Sequence, residues 1–237
     1  DVPIGSCLSG GIDSTAIVCL LNKQLHDQFG TYSLIVPGHR LDESKYIKET
    51  GRLTNTRQYF TTIEKEDFLG DIDDFVSAHE EPVSSLSVYA QYKVMKLAHE
   101  NGAKVLLDGQ GGDEIFAGYP FYFSNYFYGL LKEMRLVEFC RQNLAYIKHC
   151  RNIYPQSFLA FQFLPHSVKK MVFRKKLTPW ANHDLTEKLC GNELEPRWPL
   201  RDLKSSLKQS LFGIRIPHLL RWEDKNSMRW SVESRVP

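Results

Sequence analysis

The sequence lacks most of the signatures that would place a chain of this length at once. There is no G-x-x-x-x-G-K-[ST] run, which excludes a Walker-type phosphate loop, and no G-x-G-x-x-G, which leaves a dinucleotide-binding fold unsupported. H-E-x-x-H and paired cysteine or histidine spacings are also missing, so no zinc site is indicated. The longest apolar run, near Ala16 to Leu21, is far short of the roughly 20 residues that a membrane span needs. Glycine and proline are not enriched among the 237 residues, which removes collagen-like and low-complexity architectures. No internal repeat is seen. The five cysteines (Cys7, Cys19, Cys140, Cys150 and Cys190) form no C-x-x-C, and no secretory pattern opens the chain. Free thiols in a reducing cytoplasmic compartment are therefore expected, with Cys7 as a buried strand residue. The chain opens on Asp1 and stops at Pro237, and a piece of a longer protein is expected.

Charge of one sign is lacking overall, because the formal net charge is only +2. The two halves differ, however. Residues 1–118 sum to −8 and residues 119–237 to +10. This split fits either solvated helix faces or a basic lobe facing an anionic ligand.

In the first half, apolar runs alternate with amphipathic stretches. Strands are expected at Val2 to Leu8, Thr31 to Val36, Gln58 to Thr62 and Val105 to Leu107. Between them fall helices at Asp13 to Lys23, Glu43 to Thr54, Glu64 to Ala78 and Leu86 to Asn101, the first with Ile17, Leu20 and Leu21 on one face. Such alternation predicts an α/β fold, a parallel sheet flanked by helices. From Tyr119 the pattern becomes helical and aromatic, with Tyr119, Phe121, Tyr122, Phe123, Tyr126, Phe127 and Tyr128 read as core. No strand is expected there. Prolines at Pro155, Pro165, Pro179, Pro196, Pro199 and Pro217 punctuate it. The expected division is thus an α/β domain over 1–118 followed by a mainly helical lobe over 119–237.

Chemistry concentrates in two glycine-rich loops. Leu8-Ser9-Gly10-Gly11-Ile12-Asp13-Ser14 joins the first strand to the first helix. Its glycines permit close backbone approach, the helix offers unpaired N–H groups and the positive end of its dipole, and Ser9 and Ser14 add hydroxyls. The combination suits phosphate or pyrophosphate. Asp13 would repel that anion unless Mg²⁺ bridges the two; otherwise it is an ordinary acid at a helix start. The second loop, Leu106-Leu107-Asp108-Gly109-Gln110-Gly111-Gly112-Asp113-Glu114, also follows a strand, and Asp113 would supply a second carboxylate to the same ion.

These residues carry a resemblance. Ser9 to Ser14 matches the S-G-G-x-D-S pyrophosphate (PP) loop of the ATP-pyrophosphatase superfamily, whose fold is the adenine nucleotide alpha hydrolase-like α/β type. L-D-G-Q-G-G-D-E-I-F-A-G-Y at Leu107 to Tyr119, and L-L-R-W-E-D-K-N-S-M-R-W-S-V-E-S-R-V-P at Leu219 to Pro237, resemble the synthetase domain of glutamine-hydrolysing asparagine synthetases. The resemblance implies a ligase that uses ATP and Mg²⁺. It would adenylate the side-chain carboxylate of aspartate and release pyrophosphate, and ammonia from a glutaminase domain would then displace AMP. It implies Asp13 and Asp113 as metal ligands, with Leu8, Ser9, Gly10, Gly11, Asp13, Ser14, Leu34, Asp108 and Gly109 lining the nucleotide site. Lys225 would be the catalytic cation, with Glu114 behind the ligands and Glu81, in Glu80-Glu81-Pro82, near the acceptor. Taken without the motif, Lys225 reads as a surface lysine and Glu81 as a loop acid. Glu233 and Arg235 read equally as substrate contacts or as an internal ion pair.

Two features depart from the family. Many asparagine synthetases read G-E-G-S-D-E in the second loop, where this chain has Gln110 and Gly112. A neutral amide cannot accept a proton as a base, so another small carboxylate acceptor, as in lactam-forming ligases or sugar-modifying amidotransferases, stays open. The glutaminase half, with its N-terminal cysteine, is not in the sequence. A superfamily enzyme acting on tRNA and a non-catalytic nucleotide-binding domain are the other readings. No RNA-binding module is evident, and Asp13, Asp113 and Lys225 argue against loss of catalysis. No membrane or nucleic-acid partner is expected, and a homodimer is left open.

Overall fold

A computed structural model describes residues 2–25, 27–39, 42–83, 85–177, 201–213 and 215–237. Asp1, Pro179, Cys190, Pro196 and Pro199 lie outside the described residues. Two compact units are present: residues 1–113 together with 211–237, and residues 114–210.

The first unit is built on a five-stranded parallel sheet, β1 (Ile4–Cys7), β2 (Gly30–Leu34), β3 (Arg57–Thr61), β4 (Val105–Leu107) and β5 (Glu233–Arg235), ordered β3-β2-β1-β4-β5. Parallel strands need crossovers, and helices supply them. α1 (Ile12–Gln24) leads from β1 to β2, and α2 (Ser44–Thr54) leads from β2 to β3. Both pack on one face, around buried Leu8, Val18, Leu21, Phe29 and Ile47. The chain then returns through α3 (Lys65–His79) and α4 (Leu86–Glu100) to β4, on the far side of β1. α4 covers the opposite face with Val94, Met95 and Ala98 against Tyr32 and Leu106. Progress reverses at β1, so the carboxyl ends of β1 and β4 frame the switch-point crevice where open α/β sheets bind ligands. The α/β architecture expected from the sequence is therefore present.

Three expectations are corrected. A strand does form beyond Tyr119: β5 pairs with β4 through Val105↔Glu233, Leu106↔Ser234 and Leu107↔Arg235. Its sequence, Glu-Ser-Arg, has no apolar alternation because it is a short edge strand. The expected division at 118/119 is also revised. Residues 211–237 return to the first unit, since β5 completes the sheet and Val232 is fully buried in its core. The face of α1 is formed by Ser14, Val18 and Leu21, at the helical spacing i, i+4, i+7, while Leu20 is exposed.

The second unit is helical: α5 (Gly112–Phe116) leads into it, then α6 (Pro120–Lys132), α7 (Leu136–Cys150), α8 (Tyr154–Phe163), α9 (His166–Leu177) and α10 (Leu203–Phe212). Phe127, Tyr146 and Leu159 form its core, with Tyr126, Tyr128 and Phe139 packed around them, as expected for the aromatic run. Phe123 stays 40% exposed. The last described helix, α11 (Arg215–Arg229), lies wholly in the first unit and packs on α3, α4 and β5. Cys7, Cys19, Cys140 and Cys150 are free, as expected. Among the described residues no helix is long and apolar enough to cross a membrane.

Candidate active site

The loop after β1 is organised by its own hydroxyls. Ser9 Oγ and Ser14 Oγ are 3.0 Å apart, the Ser9 amide donates to Ser14 Oγ at 3.2 Å, and the Gly11 amide donates to Ser9 Oγ at 3.3 Å. Gly10 has φ +87°, and a Cβ there would come within 3.1 Å of Glu43 Cβ, so the turn has both the backbone and the space of glycine. Gly11 is the N-cap of α1, and no side chain caps the helix. The first-turn N–H groups are thereby left for an anion.

The loop after β4 lies directly on this turn. A Cβ on Gly109 would be 3.2 Å from the Ser14 amide nitrogen, and one on Gly112 would be 2.6 Å from Asp13 Cγ. Hence only a glycine lets the second loop close over the Asp13 carboxylate. Burial, and then the negative charge of Asp13, push the Asp113 carboxyl above its ordinary range. Two carboxylates that repel each other beside an uncapped helix start suit a hard divalent cation. Mg²⁺ commonly takes one or two protein carboxylates and completes its shell with phosphate and water. Among the described residues no group of three or more acidic, histidine or cysteine side chains is placed to hold a metal without such help.

The structure brings Ser9, Gly10, Gly11, Asp13, Ser14, Asp108, Gly109 and Asp113 to this crevice. Leu8 differs in kind: its side chain is 1% exposed in the α1/α2 core, so only its backbone borders the loop. Leu34, at the end of β2, packs against the cluster of Tyr32 and Leu106. Glu114 is fully buried, and neither carboxylate oxygen has a hydrogen-bond partner among the described residues.

Lys225 and Glu81 form a second group, at the carboxyl end of α3. Lys225 Nζ donates to the His79 carbonyl and stands 3.7 Å from the Glu80 carboxylate. Glu81 is ion-paired with Arg221. Among the described residues no hydrogen bond or ion pair joins Lys225 to Asp13 or Asp113. α11 does reach the second loop, since a Cβ on Gly111 would be 3.4 Å from Ile216 Cδ1. Glu233 and Arg235 pair with each other at 2.7 Å on the exposed edge of β5.

Sequence reasoning missed the buried polar side chains His79, Glu223 and Asn226, of which Asn226 bonds both His79 and the half-buried Gln91. The available signal was slight. Glu223 and Asn226 flank Lys225 in W-E-D-K-N, where an acid reads as a solvated helix residue.

The switch-point crevice, the uncapped glycine turn and the facing aspartates define an α/β domain of the adenine nucleotide alpha hydrolase-like type. More narrowly, the chain belongs to the asparagine synthase family, whose model matches residues 1–237. It is 34% identical over 131 residues to a Methanocaldococcus jannaschii protein named provisionally as a glutamine-hydrolysing asparagine synthetase, covering 53% of this chain and 24% of that protein. Similarity to asparagine synthetase [glutamine-hydrolyzing] 1 of Bacillus subtilis is 33% over 122 residues, covering 52% of this chain and 19% of the relative. A protein of Penicillium rubens named Amidase chyE is 27% identical over 133 residues, 50% of this chain and 20% of its own. The matched stretch thus spans no more than a quarter of these relatives.

Proposed function

We propose that this chain is the adenylating part of an ATP-dependent carbon–nitrogen ligase of the asparagine synthetase type. The observation that carries the reading is the close approach of the Gly112 backbone to the Asp13 carboxylate, which sets Asp13 and Asp113 side by side at the start of α1. In this reading the N–H groups of α1 and the hydroxyls of Ser9 and Ser14 hold the pyrophosphate portion of ATP, and Asp108 and Gly109 border the nucleotide. Asp13 and Asp113 would hold Mg²⁺, which supplies charge neutralisation on the phosphates.

The acceptor carboxylate attacks the α-phosphorus. An oxygen–phosphorus bond forms, the bond to the leaving pyrophosphate breaks, and an acyl-adenylate results. Ammonia then attacks the acyl carbon, loses one proton and expels AMP. Negative charge accumulates on the transferring and leaving oxygens, so donors placed in advance lower the barrier. Lys225 is assigned that task on the acceptor side, with Glu81 close by, and Glu114 supports the second loop from behind.

Aspartate is the proposed acceptor, and glutamine, hydrolysed by a glutaminase domain, the proposed source of ammonia. Gln110 favours a second reading, in which the same chemistry serves another small carboxylic acid. ATP–pyrophosphate exchange separates the two. Exchange that requires aspartate supports the first; exchange restored only by another acid supports the second; ATP binding without exchange for any acid retires the ligase.

A further inference from the structure

Two consecutive residues of α11 take hold of the same residue of α3. Lys225 Nζ donates to the His79 carbonyl, while the fully buried His79 ring has Nε2 2.9 Å from Asn226 Oδ1. Asn226 is itself fully buried. Its amide nitrogen donates to the Val88 carbonyl at 2.9 Å and to Gln91 Oε1 at 3.1 Å, both on α4. The Val88 carbonyl fixes which way the amide faces, because a backbone oxygen only accepts. With its nitrogen committed to α4, Asn226 presents its oxygen to the ring, so the imidazole hydrogen is on Nε2. His79 Nδ1 is buried with no partner among the described residues, and the ring meets Phe75, one turn earlier, edge to face with centroids 4.7 Å apart. One side-chain amide thus pins α3, α4 and α11 at a single point.

The pin sits where α3 stops. His79 is the last residue of α3, so its carbonyl is one of those a helix leaves without an internal partner. Glu80 follows with φ +54°, a left-handed conformation that a residue with a side chain holds only where its surroundings impose it. Its amide closes on the Val76 carbonyl at 2.9 Å, and the chain turns away from the helix axis. The Glu80 carboxylate stands 3.7 Å from Lys225 Nζ, and Glu81 is held separately, by Arg221. An ammonium has three N–H bonds on a flexible four-carbon stem, which by itself fixes no position. Here one of the three is committed to the His79 carbonyl, so the amine has a defined place and keeps donors for a substrate. That carbonyl belongs to the residue whose ring Asn226 holds. The anchor of the lysine and the pin of the helices are therefore one residue.

We propose that His79 and Asn226 are positioning residues for Lys225: the hydrogen bond from His79 Nε2 to Asn226 Oδ1 locks the end of α3 to α11 and holds the His79 carbonyl where it fixes the lysine ammonium. Both side chains are fully buried, so neither touches a substrate. The catalytic meaning rests on the ligase reading; the placement of Lys225 by the pair does not. Without a donor at Nε2, the end of α3 is released from Asn226 and the ammonium loses its fixed anchor.

The test uses the protein at its full natural length. His79→Gln keeps an N–H donor at the reach of Nε2, His79→Leu removes it at comparable size, and Lys225→Met removes the ammonium. In wild type, nitrogen-15 NMR should place the ring hydrogen of His79 on Nε2 and show the Lys225 ammonium restricted in its motion, the Lys225→Met variant identifying that signal. The restriction should survive in His79→Gln and be lost in His79→Leu. Pyrophosphate exchange in His79→Leu should fall about tenfold to a hundredfold through kcat, with KM for ATP little changed, as for a misplaced catalytic group. His79→Gln should recover most of that loss. Placed on Lys225→Met, His79→Leu should bring no further fall, because the role of the pair ends at the lysine. A ring hydrogen on Nδ1, or a freely mobile Lys225 ammonium in wild type, overturns the proposal, and neither reading depends on whether His79→Leu folds. A His79→Gln variant no better than His79→Leu, or the same loss from His79→Leu with and without Lys225, marks general structural support and also overturns it. If no acid supports exchange, the ligase reading fails, while the two NMR signals still decide on the placement of Lys225.

Discussion

A methyl group at Gly112 would have to displace the Asp13 carboxylate, whose carbon lies 2.6 Å from the required position. The obstacle is the end of a side chain, so the fold can yield locally. Gly112→Ala is therefore expected to leave the melting temperature nearly unchanged while weakening Mg·ATP binding by about tenfold or more, as loss of ligand positioning does at metal sites. Calorimetric titration with Mg·ATP checks this. Asp113→Asn should behave differently. The Asp113 carboxyl is raised in the fold, by burial and by Asp13, so the stability it contributes is present at low pH and lost as pH rises through its native value. Without Mg²⁺ at neutral pH the Asn variant is thus expected to melt higher than wild type, yet to bind Mg·ATP at least about tenfold more weakly. Melting curves with and without Mg²⁺ test both signs at once.

At the scale of elements, α11 is organised by a row of cations. Arg221, Lys225 and Arg229 recur every four residues, hence on one face, and they engage Glu81, Glu80 and Asp74 on or just after α3. The ends of the row differ in consequence. Arg229 is 46% exposed and bonds Asp74 through Nε at 3.0 Å, where solvent screens the pair, so Arg229→Ala should leave the melting temperature nearly unchanged and pyrophosphate exchange unaltered. Lys225→Met keeps the bulk of the stem but removes the charge. Exchange should fall on the order of 10²- to 10³-fold while the Kd for ATP changes little, because the charge matters most as the transition state forms. Equal losses in binding and rate would assign Lys225 to substrate binding instead.

At the largest scale, the decisive fact is that residues 211–237 return to the sheet that opens with β1. Val232 is fully buried in the cluster of Tyr32, Met95 and Leu106, and Trp230 packs against the same cluster. Trp222 and Trp230 also cover Phe75, Tyr89 and Tyr92 between α3 and α4. A chain ending at Ser210 would expose that apolar surface and leave the β4 edge unpaired. It is expected to lose the cooperative melting of the sheet rather than merely the activity, a difference that circular dichroism and amide hydrogen exchange will register.

Residue order alone specifies the local elements and the chemistry of the first glycine turn. Apolar periodicity is a short-range signal, so β1 to β4 and α1 to α4 were legible, and so were the turn at Gly10 and Gly11 and the acid at Asp13. The motifs also pointed to the family. The remainder depends on long-range packing. The three residues of β5 carry no strand pattern, and their place depends on pairing with residues more than a hundred positions earlier. Leu20 reads as core in α1, yet the sheet selects Ser14, Val18 and Leu21, because the crossover sets which way the helix turns. Glu223 is the clearest case. An acid on a charged helix gives no sign of burial, yet Glu223 is 2% exposed, and its carboxyl is pushed up to about 7 by burial and then by the charge of Asp108 from another element. Periodicity records what neighbouring residues share, whereas the electrostatics of a buried site depend on which distant charges the fold brings together.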